Sequence, residues 1–240
     1  CYNLDFFTMT NSEIRKLYKS ASHGKNISIV EGNKGLFDGV SLNGIDSNAS
    51  LAHLLKLEVI LVLDCSGTTR GIAPLLQGYK NFDSKIKYKG IILNNIVSER
   101  HESKIINAVN EFTKFKVIGS VHKNKNLSII EKSLGLEPVF QNTSTRKIIK
   151  NISSIIKSSI DIKYFSHKSA DAKIKTIPKI VTKHKKYSDL KIGIALDQAF
   201  GFYYPDDLDK FKSYGVKIIY FNTLKDKSLP KVDGIFIGGG

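Results

Sequence analysis

Apolar positions along the chain switch repeatedly between two periods. Behind Thr10 and Glu13, a capping-box start, Ile14, Leu17, Tyr18 and Ala21 fall at i, i+3, i+4 and i+7 and predict a helix that stops near Gly24. Ile27 to Val30 then predicts a short strand that delivers Glu31 at its end, and Leu51 to Leu57 a short helix. Val59-Ile-Leu-Val-Leu-Asp64 is apolar until its final acid, the pattern of a strand buried on both faces of a parallel sheet. Ile72, Leu75, Leu76 and Tyr79 mark the next helix, Gly90 to Asn94 a strand, Ile105, Ile106, Val109 and Phe112 another helix, and Val117 to Val121 another strand. Residues 145–160 carry a last amphipathic helix through Ile148, Ile149, Ile152, Ile155 and Ile156. Strands alternating with helices define the α/β class, with a mostly parallel sheet covered on both faces.

From about residue 163 to 189 the apolar pattern lapses into Lys, Ser, Thr and His, which reads as a linker. A second unit follows from residue 190, with strands at Lys191–Leu196, Val216–Phe221 and Gly234–Ile237 and a helix from about Asp206 to Tyr214. About 50 residues rarely close a core of their own. Together with the opening Cys1 and the terminal Gly238-Gly239-Gly240, this suggests a fragment of a longer chain.

Composition narrows the picture. An apolar share of 41% supports a packed core, and no apolar run approaches the roughly 20 residues of a membrane span. Cys1 and Cys65 stand outside any metal-type spacing, which points to a reduced, cytoplasmic setting. The net charge of +15 would raise nucleic acid as a partner. Its lysines, however, are spread along the chain amid abundant Ile and Asn, densest between Lys163 and Lys186, so a solvated face is favoured over a nucleic-acid groove.

The candidate chemistry lies at strand ends. Ligands of open α/β sheets bind outside the carboxyl ends of the strands, and Glu31, Asp64 and Asn94 close three of them. Glu31 and Asp38 flank a glycine-rich loop, and two carboxylates beside flexible backbone suit a magnesium–phosphate group. For Asp64 the simpler reading, a cap for the following turn, is favoured over a catalytic role. His53 and His101 lack metal-ligand spacing and read as packing or surface residues, and Phe200, Phe202, Tyr203 and Tyr204 as packing aromatics.

Several segments, taken in order, resemble the cobyrinic acid a,c-diamide synthase family. They are Asn3-Leu-Asp5, Glu31-Gly-Asn-Lys-Gly-Leu-Phe-Asp-Gly39, Asp64-Cys-Ser-Gly-Thr-Thr-Arg70, Gly90-Ile-Ile-Leu-Asn94 with Ser98-Glu-Arg-His-Glu102, Glu131-Lys-Ser-Leu-Gly-Leu136, Asp197-Gln-Ala-Phe-Gly-Phe-Tyr-Tyr-Pro-Asp206 and Asp233-Gly-Ile-Phe-Ile-Gly-Gly-Gly240. The resemblance implies a P-loop, dethiobiotin-synthetase-like ATP-binding domain over residues 1–162, a linker at 163–189 and the start of a class I glutaminase-like α/β domain at 190–240. It implies ATP and magnesium as cofactors, glutamine as nitrogen donor and a corrinoid as substrate, whose a and c acetate carboxylates are activated and amidated. On this pattern Glu31 holds magnesium near the γ-phosphate and Asp38 is the second acid near the metal or the substrate. Asn94 stands where related enzymes read adenine, and Thr69 and Arg70 offer contacts to phosphate or carboxylate, Arg70 through its planar fork. Gly239 and Gly240 match the loop that helps form an oxyanion hole.

The departures from the family pattern are specific. No Gly-x-x-x-x-Gly-Lys-[Ser/Thr] occurs, and no cysteine follows Cys65, which belongs to the Asp64 loop and cannot serve as the glutaminase nucleophile. Both parts are expected outside the 240 residues, and the chain by itself is expected to turn over neither ATP nor glutamine. Asn33-Lys34 stands where small or apolar residues are usual, so the tetrapyrrole stays open between cobyrinic acid, hydrogenobyrinic acid and nickel-sirohydrochlorin. Cobyric acid synthase and, from another class, a partition-type DNA-associated ATPase are the competing readings. The oligomeric state, a homodimer included, stays open.

Overall fold

A computed structural model describes residues 2–127, 131–132, 135–136, 143–165 and 187–239. The chain divides into two compact units, one of Asp5–Ser128 with Lys147–Lys175, the other of Cys1–Leu4, Ile129–Arg146 and Thr176–Gly240.

In the first unit α1 (Asn11–Ser22) begins at the capping box: Thr10 Oγ1 accepts from the Glu13 N–H, and the Glu13 carboxylate accepts from the Thr10 N–H at 2.8 Å. Then come α2 (Asn48–Leu55), capped by the Ser47 hydroxyl, β1 (Val59–Asp64), α3 (Ile72–Phe82), β2 (Tyr88–Ile96), α4 (Glu99–Phe112) and β3 (Val117–His122). The strands form a parallel sheet in the order β1-β2-β3, with Asp64 paired to Asn94 at the carboxyl edge.

Side chains alternate across a strand, and that alternation sets the two faces. Leu61, Leu63, Ile91 and Leu93 point to one side and are buried with Ile72 and Leu76 of α3 and Ile105 and Val109 of α4. Each fully buried aliphatic side chain stabilises the unit by roughly 1.5–3 kcal/mol. Ile92 points to the other side, where it clusters with Ile118 and Val121 of β3 and meets Ile156 of α5 (Thr143–Ser159), then Ile160, Tyr164 and Phe165 beyond it. Close docking there requires a glycine: a Cβ on Gly119 would lie 2.9 Å from the Ser159 carbonyl oxygen and 2.8 Å from Ile160. This second face is open at β1, where Val62 is 63% exposed.

One expected element does not form. Ile27 to Val30 is irregular, and Ile27 and Ile29 are 52% and 81% exposed. A strand is stabilised by its ladder partners, and among the described residues no strand pairs with this run. Glu31 is therefore not at a strand tip. The strand expected to end at Asn94 runs on to Ile96, with Asn95 in the left-handed region at φ 59°.

In the second unit β4 (Glu131–Lys132) and β5 (Gly135–Leu136) form an antiparallel pair, and Ser133 and Leu134 of that family segment lie outside the described residues. β6 (Lys191–Ala195), α6 (Pro205–Ser213), β7 (Lys217–Phe221) and β8 (Gly234–Phe236) follow, with a parallel sheet in the order β7-β6-β8. Most of the expected linker, 166–186, with its dense lysines, lies outside the described residues. No described helix is long and apolar enough to cross a membrane.

Candidate functional site

The loop after Glu31 is irregular but well anchored. Leu36 is buried in the core of the first unit, and the Phe37 ring stacks on Tyr79 at 5.7 Å and tilts against Phe82 at 4.7 Å. The Leu36 carbonyl accepts from the Ala49 N–H at 2.8 Å, and Asn48 Nδ2 donates to the Lys34 carbonyl at 2.9 Å, so the start of α2 holds the loop. The turn Gly35–Asp38 closes with the Asp38 N–H on the Gly35 carbonyl at 3.2 Å. A Cβ on Gly35 would overlap the Asp38 carboxylate. The Gly-Leu-Phe-Asp-Gly run thus has a division of labour, in which Leu36 and Phe37 fasten the loop and Asp38 is presented to solvent. Glu31 is exposed as well. Sequence reasoning overlooked Asp46, whose carboxylate accepts from the Val40 N–H at 2.7 Å and the Ser41 N–H at 3.1 Å. The Val40 bond is the main reason its pKa is lowered.

At the carboxyl edge Asp64 is exposed and accepts from the Ser66 N–H at 2.8 Å. That bond, then the Ser66 and Asn95 side chains, holds its carboxyl below the ordinary value of 3.8. Asn94, paired with Asp64, accepts the Cys65 N–H on its carbonyl at 2.9 Å. Cys65 is fully buried, and burial raises its thiol pKa. His122 closes β3 with Nε2 2.7 Å from Glu102 Oε2, a pair that sequence reasoning did not single out.

His101 does more than pack. Its Nδ1 accepts from the Val97 N–H at 3.3 Å, which leaves Nε2 as the protonated nitrogen, 2.6 Å from the Thr68 carbonyl. The imidazole thereby ties the Asp64–Arg70 loop to the first turn of α4. Thr69 is exposed on that loop. The Arg70 guanidinium, expected to face the edge, instead lies 5.0 Å over the Phe112 ring at the far end of α4. Cation–π attraction at such an exposed ring is worth about 0.5–1 kcal/mol, weak enough for an anion to draw the guanidinium away. His53 pairs with Asp83 at 2.7 Å, and this contact is the main reason the Asp83 pKa is lowered.

No three His, Cys, Asp or Glu side chains among the described residues stand together as a metal cluster. Magnesium does not require one, because it binds nucleotides through one or two carboxylates plus phosphate oxygens and water. Glu31 and Asp38, the expected holders of the ion, are exposed carboxylates of the kind that mode uses.

In the second unit Asp197 follows β6 and is 2% exposed. Its carboxylate accepts from the N–H groups of Ala199 at 2.8 Å and Phe200 at 3.0 Å, the Thr223 hydroxyl at 2.7 Å and the Thr223 N–H. Burial opposes the charge, but these donors outweigh it and the pKa is lowered. The Gly239 N–H donates to the Phe202 carbonyl at 3.2 Å, and the Gly239 carbonyl accepts from Phe202 at 3.1 Å. Gly240 lies outside the described residues.

A family model for an AAA domain matches residues 5–130, more than half of the chain. The chain belongs to the AAA domain family. Among curated proteins it is similar to the cobyrinate a,c-diamide synthases of Methanobrevibacter smithii (36% identical, covering 99% of this chain and 53% of the relative) and Magnetococcus marinus (34%, 100% and 53%). The Methanosarcina barkeri cobyrinate a,c-diamide synthase is 37% identical over 100% of this chain and 51% of its own length. The likeness read from the motifs therefore holds along the whole sequence, and the chain spans about half the length of these relatives. No solved structure gives a significant match.

Proposed function

We propose that the chain is part of an ATP- and glutamine-dependent ligase that amidates the a and c acetate carboxylates of cobyrinic acid. The observation that carries this reading is the similarity, at 34–37% identity over 99–100% of the chain, to cobyrinate a,c-diamide synthases. The chemistry requires two activities. A carboxylate resists amines because its leaving group would be an oxide, so its oxygen must first attack the γ-phosphorus of ATP. That step forms an acyl phosphate and expels ADP. Ammonia from glutamine then attacks the acyl carbon and displaces phosphate, leaving the amide.

The first unit supplies groups suited to the activation step. Glu31 and Asp38 are exposed on a braced loop, with Asp38 at the tip of an anchored turn. Asp64 is held ionised at the carboxyl edge beside Asn94. Magnesium, when bound, neutralises charge on the transferring phosphoryl group, and phosphoryl transfer is governed by such positioning and electrostatics. Thr69, on the loop fixed by His101, is a candidate phosphate contact, and Arg70 joins it by leaving the Phe112 ring.

The test uses a protein extended to the full length of the relatives, given cobyrinic acid, magnesium-ATP and glutamine. Mass spectrometry should find two successive amide-for-acid exchanges that require both ATP and glutamine. Glu31→Gln should lower the product by at least about a hundredfold, in the range for loss of charge stabilisation in transfer reactions. Product formation without ATP, or undiminished by Glu31→Gln, would refute the assignment.

A further inference from the structure

Sequence reasoning treated the aromatic run 200–204 as packing, but one of its members is placed to control the glycine loop after β8. Tyr203 sits where the ends of two strands converge. Its hydroxyl donates to the Ala195 carbonyl at the end of β6, with the Phe236 carbonyl of β8 3.5 Å away, and accepts from the Gly238 N–H at 3.1 Å. The ring packs on Phe236, 5.7 Å between centroids.

One residue earlier the backbone closes the other side. Phe202 and Gly239 form an antiparallel bridge: Phe202 donates to the Gly239 carbonyl at 3.1 Å and accepts from the Gly239 N–H at 3.2 Å, and Gly201 adds a donor to that carbonyl at 3.3 Å. A side chain is sterically barred from the middle of this clamp. A Cβ on Gly238 would overlap the Phe202 carbonyl oxygen and come within 2.7 Å of the Tyr203 ring.

An oxyanion donor has to hold its N–H free and aimed at the developing charge, 2.7–3.1 Å from that oxygen. Both the Gly238 and Gly239 N–H groups point to internal acceptors instead. We propose that Tyr203, with the Phe202 backbone, is the positioning residue of this loop. It turns the two N–H groups inward, so that Gly238 and Gly239 brace the loop rather than serve as oxyanion donors themselves. The catalytic consequence rests on the glutaminase-like reading of the second unit, and the bracing itself does not.

The experiment compares the 240-residue chain with Tyr203→Phe by amide hydrogen exchange on glycine-labelled protein. In the parent chain the Gly238 and Gly239 amides should be protected. In Tyr203→Phe, which keeps the ring and removes only the hydroxyl, Gly238 exchange should quicken by about tenfold or more, while Gly193 within β6 is unchanged. Free exchange of both amides in the parent chain, or equal Gly238 rates in the two proteins, would overturn the brace. In the full-length enzyme the same substitution should lower kcat for glutamine hydrolysis about tenfold with KM unchanged, as a shifted transition-state donor requires. Faster Gly238 exchange with unaltered kcat would instead retire the oxyanion reading and leave the brace standing.

Discussion

Two strands end on the same chemical signal and place it in opposite surroundings. Val59-Ile-Leu-Val-Leu-Asp64 and Ile192-Gly-Ile-Ala-Leu-Asp197 are each an apolar run closed by an aspartate, and each aspartate accepts the N–H two residues on. Beyond that point Asp64 receives, among the described residues, the side chains of Ser66 and Asn95, and it stays exposed. Asp197 also receives Phe200, and both the hydroxyl and the N–H of Thr223 from the segment after β7. Its oxygens are fully engaged and no ligand could reach them. What separates an exposed strand-end acid from a buried structural one is how many donors the neighbouring strand end supplies.

The comparison can be broken at several points. The largest effect is expected from Gly238→Ala, which drives a methyl group into the Phe202 carbonyl beside the Asp197 region. Overpacking of this kind costs about 1–3 kcal/mol, and urea unfolding of the second unit should register it. Gly239→Ala is expected to be milder, since its Cβ would stand 3.3 Å from Phe202 Cβ. Acid should separate the units next. Asp197 has a lowered folded pKa, so its contribution is fully present above the unfolded value near 3.8 and is lost as pH falls through the folded value. Hydrogen exchange between pH 5 and pH 2 should show the β6–β8 amides losing protection from about pH 4 downward. On the proposed function, substitution at Asp64 should lower activity without reaching the fold. In the full-length enzyme Asp64→Asn should weaken nucleotide-dependent amidation about tenfold, an effect on the scale of one charge-assisted contact.

The smallest effect lies at high pH. Burial raises the Tyr88 pKa to about 12, with its hydroxyl donating to the Tyr79 carbonyl at 3.1 Å. The neutral form is the one the fold favours, so this contribution is present below pH 10 and lost as pH climbs from there toward 12. Ultraviolet titration should show one tyrosine ionising well after the rest, and Tyr88→Phe should remove that late step.

Much of the fold could be read from hydrophobic period alone, because β1, β2, β3 and the helices between them carry buried positions at the spacing their geometry demands. Ile27 to Val30 shows the limit of that signal. Four apolar residues specify a strand only if a partner strand lies alongside, and partners are not written in the local pattern. The candidate site was legible as residue types and less so as geometry: of Glu31, Asp64 and Asn94, only Asp64 closes a strand. Leu36 and Phe37 read as part of a motif, but their role as loop anchors depends on Tyr79, Phe82 and α2, which are distant in sequence. His101 has acidic neighbours at positions 99 and 102, yet its real partner is the Thr68 carbonyl, 33 residues away. Arg70 invited an assignment to phosphate because of its type, whereas its guanidinium rests on Phe112.

The most direct check on the contrast between the two acids is thermal unfolding of Asp64→Asn and Asp197→Asn, measured side by side in the 240-residue chain. At position 197 the new amide sets an NH2 donor against the Thr223 donors, and the transition should fall by roughly 5 °C or more. At position 64 it should stay within about 2 °C of the parent, as expected for an exposed site. Equal losses from the two substitutions would show that both acids hold structure, and Asp64 would no longer stand as a ligand-facing group.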